Sequence, residues 1–260
     1  MKPVLSVLVS GIRNDNWINI QKQMMLSCDR HDFEIVFVSP YPLPKDMEKW
    51  NNIHYSQDFG SPSRCLQKAS TIAQGKYIAI VSDDVIINEK EFSNCIDLLE
   101  QNDSKKDIIA LRYTEGLNFN ANPADFSPSY WNTSFHNSLN LEGIDQSWKI
   151  CIMFLMNTQM FRWMGGIDCR FEHFNMNLHD LAFRAQRCGS KVITSLDFVT
   201  KHDWSPNRDQ NDPIIQAYHQ NDLPLFYSIY GQAFTANKRS KQIRYDNWQK
   251  QPEKWARRFG

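Results

Sequence analysis

The 260 residues carry 29 basic and 29 acidic side chains, so zero formal charge leaves no global field that would favour nucleic acid or an anionic membrane. That length suits one large domain, or a domain with an appendage, around a proper hydrophobic core. No window approaches the roughly 20 apolar residues that a membrane span requires.

The elements can be read in chain order. VLSVLV (4–9) predicts a first strand rather than a signal sequence, and WINIQKQMMLSC (17–28) a helix begun near Asn14 or Asn16. FEIVFVS (33–39) predicts a second strand, stopped by PYPLP, whose prolines cannot continue a ladder. IHYSQ (53–57) is a short third strand. Ser61 caps the next helix, Pro62 takes its first position, Leu66, Ala69 and Ala73 share a face, and Gly75 ends it. YIAIVS (77–82) is then a fourth strand. Asn88 with Glu91 has the spacing of a capping box ahead of Phe92, Cys95, Ile96 and Leu99, which share one helical face.

DIIALRY (107–113) predicts another strand. Residues 114–148 are polar and aromatic, and too long for a passive connector. KICIMFLMN (149–157) reads as a buried strand and TQMFRWMGG as a short helix ending at Gly165. LHDLAFRAQRCG (178–189) is a helix with Gly189 past its end, and KVITS (191–195) the last clear strand. Beyond residue 205 the tail reads as helical and aromatic. Trp248, Trp255 and Phe259 lie among Lys250, Lys254, Arg257 and Arg258, which suits either a membrane-edge helix or packing back on the domain. The six cysteines, Cys28, Cys65, Cys95, Cys151, Cys169 and Cys188, show no C-x-x-C pair. They read as buried thiols in a reducing, cytoplasmic compartment.

Alternating strands and helices predict an α/β sandwich with a mostly parallel sheet, and ligands bind such sheets beyond the carboxyl ends of the strands. SGIRND (10–15), SPYP (39–42) and Asp83-Asp84 then share one rim. No G-x-G-x-x-G follows the first strand, which argues against a dinucleotide. Adjacent side chains of an extended chain point apart, so one aspartate can face a ligand while the other faces protein. A divalent cation held by carboxylate and substrate phosphate suits such a pair, and so does a plain turn before the next helix.

Over residues 4–204 the chain resembles the inverting glycosyltransferases of family 2. SRCLQKASTIAQGKYIAIVSDDV (63–85) is similar to that family's segment leading into its acidic metal-binding motif, with Ser82 in place of the first acid. MGGIDCRFEHFNMNLHDLAFRAQRCG (164–189) is similar to its acceptor-site segment, although the usual E-D falls on Asn177-Leu178. HDW (202–204) matches the histidine that follows the last strand in many enzymes of this fold.

The resemblance implies a GT-A fold, a Rossmann-like α/β/α sandwich. Residues 1–113 would form the nucleotide-sugar-binding half, 114–205 the acceptor half, and 206–260 a helical C-terminal extension. It implies a metal-dependent inverting transfer from a nucleotide-diphosphate sugar to a hydroxyl of a glycan or glycoconjugate. Asp84 and His202 would hold Mn2+ or Mg2+. Ser10, Gly11, Arg13, Ser39, Arg64, Ser82 and Asp83 would bind the nucleotide sugar, and Asp180, with His179 and Glu172 beside it, would supply the base. The aromatic stretch 118–137 would shape acceptor binding or add a packing layer. Two alternatives stay open: a sugar-nucleotide binder without catalysis, to which Ser82 and the missing E-D point, and a nucleotidyltransferase.

Overall fold

The computed structural model describes residues 2–115, 151, 153–202 and 212–230. The aromatic stretch 118–137, the Asp203-Trp204 end of HDW and the aromatic, basic tail at 248–259 lie outside the described residues.

The elements in order are β1 (Leu5–Ser10), α1 (Trp17–Ser27), β2 (Phe33–Ser39), β3 (Ile53–Gln57), α2 (Pro62–Ile72), β4 (Tyr77–Ile80), β5 (Val85–Ile87) and α3 (Glu91–Gln101). There follow β6 (Ile108–Glu115), β7 (Phe154–Asn157), α4 (Thr158–Trp163), α5 (Phe174–Arg187) and β8 (Val192–His202). Last come α6 (Pro213–Ala217), a π-helical turn (Tyr218–Asp222) and α7 (Leu223–Tyr230).

Among the described residues, eight strands form one sheet in the order β3-β2-β1-β4-β7-β6-β8-β5. Four of its pairings are parallel and three antiparallel, the latter all involving β5 or β7. Period-two alternation splits β1 between two cores. Leu5, Val7 and Val9 pack with Trp17, Ile20 and Met24 of α1 and Phe92, Ile96 and Leu99 of α3. Leu8 faces the other way, toward Leu66 and Ala69 of α2, Phe161 of α4 and Leu178 and Leu181 of α5. The result is a three-layer sandwich. Trp17 stacks on Phe37 at 4.5 Å between ring centroids, a contact worth about 0.5–1.5 kcal/mol beyond its burial.

The sheet curls, and this shapes the rim. Laid flat, four strand spacings of about 4.8 Å would hold β4 and β5 about 19 Å apart, the full stretch of the link between them. That link is not stretched, because Asp83 within it binds the chain just after β1. Register shifts between Ala110 and Tyr113, where β6 pairs with β8, supply the irregularity that such bending needs. The tip of β8 thereby pairs with β5, Val85 opposite His202.

Several local expectations are corrected. Asn88 does not cap α3: its amide donates to Phe198 O at 2.6 Å, and the helix starts after Lys90, which is left-handed at φ 65°. The helix after Ser61 is capped as expected, Arg64 N–H donating to Ser61 Oγ at 3.3 Å, but it ends at Ile72. Gly75 serves close approach instead, since a Cβ there would sit 2.6 Å from the backbone nitrogen of Ser6. The helix expected over 178–189 begins a turn earlier, at Phe174, with His173 as its cap. The last strand runs to His202, so that histidine ends the strand and does not follow it. Five of the six cysteines are buried and all are free thiols; burial pushes those of Cys28 and Cys65 up to about 12. Among the described residues, no helix is long and apolar enough to cross a membrane.

Candidate functional site

The chain that follows β1 meets the Ser82-Asp83-Asp84 link that follows β4, and the two aspartates do different things. Asp83 turns inward. Its Oδ2 accepts the N–H groups of Ile12 and Arg13, each at 2.7 Å, and its Oδ1 pairs with Arg13 Nη1 at 2.6 Å. Asn16 Nδ2 donates to the Asp83 carbonyl at 2.9 Å. Asp83 is thus the knot that shapes residues 11–16. Burial raises its pKa, the neighbouring Asp84 charge adds to the rise, and Arg13 with the two N–H groups offsets part of it.

Asp84 faces the rim. Ser82 Oγ donates to its Oδ1 at 2.5 Å, His202 Nδ1 lies 3.6 Å from the same oxygen, and Arg13 Nη2 lies 3.7 Å from Oδ2. Burial opposes ionisation here too, but His202, Ser82 and Arg13 outweigh it and hold Asp84 well below the usual carboxylate range. Two carboxylates are tolerated side by side because they share the Arg13 guanidinium and each has further hydrogen-bonding partners of its own. His202 is fixed in turn: Nε2 lies 3.2 Å from Thr200 Oγ1, and Tyr113 meets the ring edge-on at 5.1 Å.

One carboxylate and one imidazole at an open rim fit a divalent cation that takes its other ligands from substrate phosphate and water. Among the described residues, no cluster of three or more His, Cys, Asp and Glu side chains that could hold a metal occurs.

The other expected nucleotide-binding residues are spread along the same rim. Ser10 ends β1 half-buried, and buried Gly11 lies against Asp83. Ser39 is fully buried, its Oγ accepting Tyr41 N–H at 3.1 Å, so it holds the turn after β2. Arg64 is buried against Asp58, Nε–Oδ1 2.9 Å and Nη2–Oδ2 3.0 Å, with Lys68 Nζ also 3.0 Å from Oδ2. Burial opposes the Asp58 charge, but Lys68, Arg64 and the Gly60 N–H hold its pKa below the usual range. Asp58 went unnoticed in the sequence, although a carboxylate directly after the third strand, six residues before Arg64, was the available signal.

The candidate bases separate clearly. Asp180 is fully buried and paired with Arg184 Nε at 2.8 Å, and the same guanidinium donates to the carbonyls of Met164 and Gly166. No hydroxyl can reach that carboxylate without local opening. His179 is also buried on α5. Glu172, which is buried too, stands before α5, and its carbonyl accepts the N–H and Oγ–H of Ser63 in the first turn of α2. Its peptide therefore lies against the helix that rises from the rim after β3.

No protein-family model matches the sequence, and no curated protein matches it. Solved structures do. S. aureus TarS aligns at a TM-score of 0.59 and 16% identity, covering 94% of this chain and 42% of that one. TarS 1–349 aligns at 0.56 and 16%, covering 78% and 60%. The complex of TarS 1–349 with UDP-GlcNAc aligns at 0.57 and 14%, covering 94% and 70%. The chain has a GT-A-like fold. It spans less than two thirds of the first two TarS chains, and at such identities the likeness concerns architecture. In this GT-A-like frame the Asp84–His202 pair sits where the link from β4 into β5 meets the tip of β8.

Proposed function

We propose that the chain is a metal-dependent glycosyltransferase, moving a sugar from a nucleotide-diphosphate donor to an acceptor hydroxyl with inversion at the anomeric carbon. The observation that carries this reading is the pairing of Asp84 with His202 at 3.6 Å on the open rim of a fold that, in TarS, is seen with UDP-GlcNAc. Asp84 and His202 would hold Mn2+ or Mg2+, which when bound neutralises charge on the donor's diphosphate. Arg13, with its side chain half exposed beside both aspartates, faces the same anion. Ser82 orients Asp84, and Asp83 fixes the loop that carries Arg13. Glu172, buried as well, takes the acceptor's proton, because the Asp180 carboxylate is committed to the buried guanidinium of Arg184. A positioned base of this kind contributes about 10²–10⁴-fold.

A second reading, a sugar-nucleotide binder without turnover, draws on the full burial of Asp180 and on Ser82 in the acidic motif. Both readings are tested by titrating UDP-, GDP- and dTDP-sugars with Mn2+ or chelator while following donor hydrolysis. Metal-dependent binding with turnover that is lost in Asp84→Ala supports transfer. Metal-dependent binding without turnover supports the binder. Turnover that survives Asp84→Ala sinks the metal assignment, and no binding of any donor sinks both.

A further inference from the structure

The C-terminal segment 212–230 reaches back onto the turn that carries Glu172. Phe226 is fully buried, with ring centroids 6.3 Å from Phe171 and 6.1 Å from Phe183. This apolar anchor brings a polar clamp with it. The Asp222 side chain, with no exposed surface, accepts the N–H of Glu172 through Oδ1 at 2.9 Å and the N–H of His173 through Oδ2 at 2.7 Å. Asn221 Nδ2 donates to the Arg170 carbonyl at 3.0 Å, and Tyr218 meets the His173 ring edge-on at 5.4 Å.

Those two N–H groups precede the first turn of α5, where backbone donors lack intrahelical partners and a carboxylate also meets the positive end of the helix dipole. Asp222 ends a π-helical turn, an interruption that re-aims side chains and recurs at functional sites. On the other side, Ser63 of α2 holds the carbonyl of Glu172. The Glu172 peptide is therefore gripped at its N–H by the C-terminal segment and at its C=O by the nucleotide-side helix.

We infer that Asp222 is a positioning residue for the transfer reaction: it fixes the Glu172–His173 backbone so that the Glu172 carboxylate meets the acceptor hydroxyl. The inference rests on the glycosyl-transfer reading and assigns the C-terminal segment a part in the chemistry. A merely structural clamp would lose stability when cut and leave the chemical step intact. A positioning clamp loses rate, since displacement of a reacting group by about an ångström can lower turnover about 100-fold.

The test measures donor turnover by the full chain with the same panel of UDP-, GDP- and dTDP-sugars, water standing in for the acceptor, alongside melting curves. The variants are Asp222→Ala, Asp222→Asn, and Phe226→Leu, which loosens the anchor but leaves both N–H bonds. Expected is a kcat lowered about 10- to 100-fold in Asp222→Ala with donor KM within about twofold. Asp222→Asn, which keeps one strong acceptor oxygen, falls between it and wild type. Phe226→Leu melts earlier with kcat nearly unchanged. Equal kcat losses in Asp222→Ala and Phe226→Leu overturn the inference, as does a raised KM with kcat intact. Wild-type kcat in Asp222→Asn overturns it too, and decides the case if the alanine variant fails to fold. Absence of turnover by wild type with any donor overturns the transfer reading and this inference together, whereas turnover unaffected by the Asp222 variants overturns only the latter.

Discussion

Gly11 and Asp83 pack with no space for a side chain between them: a Cβ at residue 11 would lie 2.8 Å from both Cβ and Oδ2 of Asp83. Asp83 cannot retreat without releasing Ile12 and Arg13. Gly11→Ala should therefore destabilise the fold by about 1–3 kcal/mol, as overpacking does, and lower the melting temperature by several degrees. It should also weaken donor binding, because Arg13 shifts with its loop. Melting curves and UDP-GlcNAc titrations of this one variant check both effects; an alanine that leaves both untouched would contradict the packing described.

The division of labour between the two aspartates predicts different phenotypes. Asp83→Asn removes the charge from three hydrogen bonds that shape residues 12–13, and charged hydrogen bonds are each worth about 1.5–3 kcal/mol. It should melt earlier and bind donor less well with or without Mn2+. Asp84→Asn gives up the contacts with His202, Ser82 and Arg13 that favour its charge, so it too should melt earlier, but it should lose the difference between Mn2+ and chelator. If the two variants behave alike, the aspartates do not have separate roles.

Much of this frame was legible in the residues, and the reasons are physical. Strands β1 to β4 and helix α2 are specified locally, by apolar runs and by Ser61 and Pro62 at a helix start, so the rim could be placed from sequence. What escaped reading depends on long-range pairing. The short strand β5 exists only because the tip of β8 reaches it, and Val85–Ile87, though β-branched, is too short to read as a strand alone. Asn88 has the right spacing for a cap but is claimed by the Phe198 carbonyl, a partner 110 residues away. The early start of α5 escaped because half of its first turn, Phe174 to Asn177, is asparagine, a weak helix former, while its cap at His173 is not a usual capping residue. Asp222 gave no sign of its role, since its partners are backbone groups about 50 residues earlier.

Asp180 and Glu172 are separated by one pair of conservative substitutions. Asp180→Asn leaves the buried guanidinium of Arg184 without its counter-charge, and breaking a buried pair in this way typically costs about 3–5 kcal/mol. Its activity loss should track the unfolded fraction and recover on cooling. Glu172→Gln should melt like wild type and lose about 10²–10⁴-fold in turnover without loss of donor binding. A Glu172→Gln variant with wild-type turnover would return the role of base to Asp180 or His179.

The Asp222 clamp also predicts how stability responds to pH. Burial, partly offset by the Glu172 and His173 N–H groups, raises its pKa from 3.8 to about 6. The folded state therefore holds a proton through a range of pH in which the unfolded chain has released it, and wherever the folded state binds more protons stability rises as pH falls. The contribution of this group is fully present below about 3.8, falls as pH rises toward 6, and is absent above it. Asp58 and Asp84, whose pKa values are lowered, stay ionised between pH 7 and pH 5, and groups such as Asp83 and Glu91, whose pKa values are raised, are common to both proteins and cancel in a comparison with Asp222→Asn. Wild type should gain in melting temperature over Asp222→Asn as pH is lowered from 7 to 5, since asparagine takes up no proton. Parallel curves for the two proteins across that window would show that Asp222 keeps an ordinary carboxylate affinity, and that its two N–H bonds outweigh its burial.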